Sequence, residues 1–285
     1  MDTARLTTLL TPLPLGPWRC FAQIDSTNSE AARWAEAGAP DRSLIIADEQ
    51  TAGRGRLGRR WYTPAGAALA FSLLLRPEHW PDAGALIHDP QLLAARLTAL
   101  GALAVCETLQ QDYHLPAQIK WPNDILIERR KTAGILVEAH WQDGKLAAAI
   151  LGIGINVAPE AVPPPDQLLF PATCLQAGLD QAIDRMELLR NILVRILDWT
   201  SRLAGTEFIR AWETQLAFKG EMVVISNSLA GGQATGFSGQ LTGLDEQGRL
   251  LLLDSAGQIF SVDSGEVHLR PASAGPGFAG PIPGG

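Results

Sequence analysis

The sequence predicts an α+β protein, in which a core of partly segregated helices and strands is followed by a small, barrel-like β domain. Three observations carry this. Apolar strands in the first half are interrupted by one long leucine-repeating helix, residues 91–113; two helical stretches, 184–204 and 206–215, follow as a block; and from about Lys219 the texture changes to short β segments spaced by glycine-rich turns. The regular alternation of a doubly wound sheet is missing. With 285 residues, 46% of them hydrophobic, the chain can bury about two domain cores.

In chain order, Thr27-x-x-Glu30 reads as a capping box that opens a helix through Ala31, Ala32 and Trp34, with Gly38 as its stop. Residues 43–47 and 67–75 are apolar strands joined by a basic glycine loop. Residues 118–127, 132–139 and 146–157 read as three further strands in an antiparallel run. The small domain is expected from segments 222–226, 236–244, 249–253 and 259–262. The expected boundaries are a short N-terminal extension over 1–17, a first domain over 18–216, the β domain over 217–270, and a tail over 271–285. That tail holds five glycines and four prolines and is expected to be disordered.

Composition excludes several classes. Cys20, Cys106 and Cys174 are far apart, which implies neither a disulfide framework nor a zinc site and fits a reducing, cytoplasmic setting. Pro12, Pro14 and Pro17 break any early apolar run, so no secretory segment is expected, and the most apolar window, 92–109, carries Arg96 and Glu107 at helical spacing, as a core helix does. No membrane association is expected. A formal charge of −7 argues against general nucleic-acid affinity, DNA included.

One loop opposes that charge. In Gly53-Arg54-Gly55-Arg56-Leu57-Gly58-Arg59-Arg60-Trp61 the glycines let backbone approach a ligand, and the arginines offer forked donors to carboxylate or phosphate. The bland alternative is an RNA-binding arginine-glycine segment, but those occur in disordered tails, whereas this one joins two strands. Three more stretches stand out: Lys120-Trp121-Pro122-Asn123-Asp124, which alone could be a turn; Lys131-Thr132-Ala133-Gly134-Ile135-Leu136-Val137-Glu138, whose lysine could be solvated; and Gly152-Ile153-Gly154-Ile155-Asn156, whose glycines thin a strand for close packing. Neither a P-loop nor a dinucleotide fingerprint is present.

These four stretches, together with Asp25-Ser26-Thr27-Asn28 and in this order, resemble the signatures of the bacterial biotin–protein ligase family over roughly residues 20–160. Residues 219–270 are similar to that family's SH3-like C-terminal domain. Leu57 stands where the family's loop often has another arginine, which removes one charge. Only about seventeen residues precede the matching region, too few for the family's DNA-binding winged helix, so the resemblance is to the monofunctional type.

The resemblance implies a mixed-sheet catalytic domain of the biotin/lipoate ligase type over 18–216, ATP with Mg2+, biotin as substrate, and transfer to a lysine of a biotin carboxyl carrier protein of acetyl-CoA carboxylase, by a monomer or weak homodimer. It implies biotin contacts from Ser26, Thr27, Asn28, Gln50, Arg54, Gly55, Arg56, Lys131 and Gly134. ATP contacts would come from Arg56, Arg59, Arg60, Trp61, Asn123, Asp124, Lys131 and Asn156. Lys131, Arg54, Arg56 and Asp124 would be catalytic, with Asp124 also a candidate metal ligand and Trp61 covering the ligand after loop closure. A lipoate–protein ligase shares the adenylate chemistry, but an arginine-glycine loop is not expected there.

Overall fold

The structure, a computed structural model, describes residues 1–80, 86, 88–142, 145–168, 170–179, 182–227, 235–263 and 267–271. The first domain is built on β1 (Trp18–Ile24), β2 (Ser43–Gln50), β3 (Ala68–Leu75), β4 (Ala117–Lys120), β5 (Asp124–Ile127), β6 (Arg130–Gln142) and β7 (Lys145–Asn156). They form one seven-stranded sheet in the order β1-β2-β3-β7-β6-β5-β4. Every pairing is antiparallel except β1 with β2, which makes the sheet mixed.

β3 reads Ala-Leu-Ala-Phe-Ser-Leu-Leu-Leu and is buried along its whole length, because helices cover both faces of the sheet here. On one face lies α2 (Thr27–Glu36), whose Ala31 packs with Ile45 and Ile150. On the other lies α3 (Pro90–Tyr113), started by Pro90 with the Asp89 carboxylate accepting from the amides of Gln91 and Leu92. Leucines and alanines surround α3 on most sides, as a helix enclosed by the fold requires. It is long and apolar enough to cross a membrane by length and composition alone, yet most of that window is buried inside the fold. α4 (Arg185–Thr200) packs on α3, α1 (Thr3–Leu10) inserts Leu6 and Leu10 into the same core, and α5 (Thr206–Thr214) follows.

The second domain is a five-stranded antiparallel sheet in the order β11-β10-β9-β8-β12, from β8 (Met222–Asn227), β9 (Thr235–Leu244), β10 (Leu250–Leu253), β11 (Ile259–Val262) and β12 (Val267–Pro271). Val223, Ile225, Leu241, Leu250 and Leu252 form its core.

Two local expectations are corrected. The capping box does not form: Ser26, not Thr27, precedes the helix, and Glu30 pairs with Arg19 and Arg33 instead of the backbone. The Thr27 amide and hydroxyl are both taken by Gln50 Oε1, at 2.9 and 3.2 Å. Residues 118–127 are not one strand but β4 and β5, folded against each other through a turn at residues 121–123 that contains a cis Trp121-Pro122 bond. α1, β1 and β12 were not foreseen. The tail from residue 272, expected to be disordered, lies outside the described residues.

Candidate functional site

The loop between β2 and β3 is itself folded. The Trp61 amide donates to Gly53 O at 2.9 Å and the Gly55 amide to Arg59 O at 2.7 Å, extending the hairpin beyond the sheet. Gly53 is obligatory, since a Cβ there would stand 2.4 Å from Trp61 O. The loop reverses at Arg56–Gly58 with Leu57 at φ +58° and Gly58 at φ +72°, both left-handed. This reversal turns Arg56 and Trp61 toward the sheet and leaves Leu57, Arg59 and Arg60 at the surface.

Beneath the loop the sheet is stripped of side chains. Gly154 on β7 lies between Ala70 on β3 and Gly134 on β6, and Gly152 lies opposite Ser72. The Trp61 ring occupies the space over Gly134 and Gly154: a Cβ on Gly154 would fall 2.3 Å from Trp61 Nε1. That indole nitrogen is buried with no hydrogen-bond partner. A Cβ on Gly152 would fall 2.1 Å from Asn28 Oδ1. Asn28 is held there by Ser72 Oγ, which donates at 2.6 Å, and donates in turn to Glu138 Oε2 at 2.6 Å. Ser72 Oγ also lies 2.7 Å from Thr27 Oγ1, and Gln50 Nε2 donates to Thr63 Oγ1 at 2.9 Å. The result is a preset polar wall on one side of a bare floor.

Cations converge from the other side. Arg54 Nη2 lies 2.7 Å from Glu138 Oε2, and Arg56 Nη1 donates to Asn123 Oδ1 at 3.0 Å. Lys131 Nζ is 2.6 Å from Asp124 Oδ1 and 5.4 Å from the centre of the Trp61 ring. Lys120 Nζ reaches the same carboxylate at 3.4 Å and sits 4.1 Å from the centre of the Phe170 ring. Burial pushes the Asp124 carboxyl up, but Lys131 and Lys120 outweigh it and hold the group below its ordinary range, so it is ionised. Burial also lowers the Arg56 guanidinium, which stays charged.

These groups line a small, partly open cleft. Ser26, Thr27, Asn28, Gln50, Arg54, Gly55, Arg56, Trp61, Asn123, Lys131 and Gly134 line it. Four other residues named from sequence do not. Asp124 stands behind Lys131, Arg60 is turned away to donate to Thr51 O at 2.8 Å, Arg59 is exposed, and Asn156 is buried with its amide donating to Thr173 O at 3.1 Å. Trp61 lies on the floor itself, over Gly134 and Gly154. Sequence reasoning passed over Ser72 and gave no site role to Glu138, Gly152 and Gly154, although their stretches stood out: Ser72 and Glu138 orient Asn28, and the two glycines form the floor. The lone hydroxyl in the run Ala-Phe-Ser-Leu-Leu was the available sign of Ser72.

An enclosed floor, a wall of oriented neutral donors and acceptors, and three cations at one end suit a ligand with a polar uncharged head and an anionic tail. The donors fix orientation, and the cations offset charge that develops at the tail.

Comparison with known proteins places this geometry. Residues 20–156 match the biotin/lipoate A/B protein ligase family and residues 229–270 the biotin protein ligase C-terminal domain. The biotin–[acetyl-CoA-carboxylase] ligase of Paracoccus denitrificans is 34% identical over 84% of this chain and 95% of that protein. The bifunctional ligase/repressor BirA of Bacillus spizizenii is 35% identical over 84% of this chain and 71% of its own length. A biotin protein ligase from Aquifex aeolicus, solved in complex with biotin and ATP, superposes with a TM-score of 0.72 at 31% identity, covering 90% of this chain and 99% of that one.

Proposed function

Since the chain belongs to the biotin/lipoate A/B protein ligase family, we infer that it is an ATP-dependent biotin–protein ligase of the biotin–[acetyl-CoA-carboxylase] type. In the first half-reaction a carboxylate oxygen of biotin attacks the α-phosphorus of ATP; the bond to the bridging oxygen breaks, giving biotinyl-5′-AMP and pyrophosphate. In the second a carrier lysine amine attacks the acyl carbon and AMP leaves. The observation that carries this reading is the cavity that unites Ser26, Thr27 and Gln50 on one wall with Arg54, Arg56 and Lys131 at its end.

On this reading Ser26, Thr27 and Gln50 hydrogen-bond the ureido ring, and Asn28, fixed by Ser72 and Glu138, closes the head of the cavity. Gly55 lines the cavity from the loop, and Gly134, Gly152 and Gly154 give a floor without side chains of its own, which the ligand reaches once the Trp61 ring now lying over Gly134 and Gly154 shifts. Arg54, Arg56 and Lys131 face the carboxylate and α-phosphate, where two anions must approach and where fixed cations favour the more highly charged transition state. Magnesium enters as the MgATP complex, held mainly by phosphate oxygens and water. The Asp124 carboxylate fits poorly as its ligand, because two lysines already neutralise it. Asp124 keeps Lys131 aimed. The resemblance assigns Arg59 and Arg60 to the outer phosphates and Asn156 to the adenine; here all three stand outside the cavity lining, with Arg60 donating to Thr51 O and Asn156 to Thr173 O.

The partner is a biotin carboxyl carrier protein of acetyl-CoA carboxylase, and free Cys20, Cys106 and Cys174 favour a reducing, cytoplasmic compartment. Biotin-dependent exchange of pyrophosphate into ATP tests the reading. Robust exchange with biotin and none with lipoate is expected; exchange that does not depend on biotin would overturn it.

A further inference from the structure

We propose that the turn joining β9 to β10 in the C-terminal domain, residues 245–248, is the backstop of the active-site turn at residues 121–124, with Trp121 and Gly248 as positioning residues for adenylate formation. The proposal rests on the ligase reading above.

The contact is built rather than incidental. Trp121 is 1% exposed, and its indole Nε1 donates to Gly248 O at 3.1 Å across the domain junction. Gly248 is at φ +82°, and a Cβ there would stand 2.3 Å from the Trp212 ring, so this residue is pressed between two indoles where only glycine fits. One side of the turn is held by Arg96, 5% exposed, which donates to Glu246 O at 2.7 Å and to Leu203 O at 3.0 Å. Internally the turn is stiff: Asp245 Oδ1 accepts from the amides of Gln247 and Arg249, each at 2.9 Å, and the Gly248 amide donates to Asp245 O at 2.9 Å.

What this stiff turn supports is chemically significant. Two residues beyond Trp121, Asn123 holds Arg56, and three beyond it, Asp124 holds Lys131 and Lys120. On the sheet side the same turn is fastened by Asn123, whose carbonyl accepts from the Ile135 amide at 2.9 Å and whose amide donates to Ile135 O at 3.1 Å. The active-site turn is therefore clamped between β6 in front and the C-terminal domain behind. Loss of the rear clamp frees Asn123 and Asp124 to shift, and with them two of the cations that face the phosphate, while Ser26, Thr27 and Gln50 stay fixed on other elements. The signature is a loss of turnover without a loss of biotin recognition.

The test is steady-state pyrophosphate exchange, with active sites counted from the single-turnover burst of adenylate. Trp121→Phe, which deletes the donor and keeps a smaller aromatic ring, is expected to lower kcat per active site about fivefold or more while the KM for biotin stays within about twofold. Val223→Ala, a cavity in the core of the small domain far from the turn, is expected to lower the thermal midpoint and leave kcat per active site unchanged. If Trp121→Phe does not fold, Arg96→Gln replaces it with the same expectation. An unchanged kcat in the variant tested, or an equal loss in Val223→Ala assayed well below its midpoint, overturns the proposal. A wild-type protein without biotin-dependent exchange overturns the ligase reading instead.

Discussion

Lys131 Nζ and Asp124 Oδ1 stand 2.6 Å apart, joining β6 to the start of β5 directly behind the cavity. The pair fixes where the cavity's innermost cation points, and it makes Lys131 the residue whose loss is easiest to read. Lys131→Ala should lower the rate of adenylate formation by at least about tenfold, since one preorganised charge at a transition state is commonly worth a few kcal/mol. Near-normal pyrophosphate exchange in the mutant would remove Lys131 from the chemistry.

Asp124 has a pH signature of its own. Its folded value is depressed, so the stability it contributes is fully present above the unfolded value of about 3.9 and is lost as pH falls through the lower folded value. Thermal midpoints of wild type and Asp124→Asn should therefore differ by a constant amount from about pH 5 to 8 and converge only in stronger acid. A difference that already shrinks between pH 7 and 5 would contradict the depressed value.

The half-reactions separate what Asp124 does. As the partner that aims Lys131, Asp124→Asn should already slow adenylate formation, by about tenfold, with little added effect on transfer from preformed adenylate. A normal first half-reaction with slow, pH-rescued transfer would assign it instead to deprotonating the acceptor lysine, whose reference pKa is about 10.4.

Glu138 ties the arginine loop to Asn28, accepting from Arg54 and from Asn28 at once. Glu138→Gln should weaken biotin binding about threefold to tenfold and speed tryptic cleavage between Arg54 and Arg60, because loss of one charged partner weakens both links. Saturating biotin with ATP should protect that loop in wild type. Equal cleavage rates with and without ligand would refute the loop's part in binding.

Gly152→Ala places a methyl where Asn28 Oδ1 now sits, 2.1 Å from the ideal Cβ position. Asn28 must then leave Ser72 and Glu138, and biotin affinity by calorimetry should fall by at least about tenfold. Unchanged affinity would show that the floor has slack.

The parts of this protein legible in the sequence were those set by local pattern. α3, the β2–β3 hairpin and β8 to β11 of the second domain follow from periodicity and turn residues, and the arginine-glycine run marks its own loop. β1 escaped because its burial does not alternate cleanly and its partner β2 lies parallel across an intervening helix. The inward and outward division of Arg54, Arg56, Arg59 and Arg60 depends on a left-handed Leu57, a non-glycine in a conformation that side chains seldom adopt. Ser72 and Glu138 became site residues only through the register that sets Gly152 opposite Ser72 and α2 against the sheet.

The strand order has a kinetic consequence. β7 arrives last in the sequence of sheet strands yet lies between β3 and β6, so Ala68 must find Asn156 and Ala133 must find Ile155 before the two halves of the sheet touch. Until then β3 and β6 are raw edges, one of them nearly all apolar, of the kind that pairs with neighbouring chains. Because β6 and β7 are neighbours in sequence and pair as a hairpin, the long-range and slow step is the closure of β3 on β7, and a refolding chain should be most prone to aggregation while β3 is unpaired on that side. Once β7 docks, sheet and cavity floor come into being in the same step.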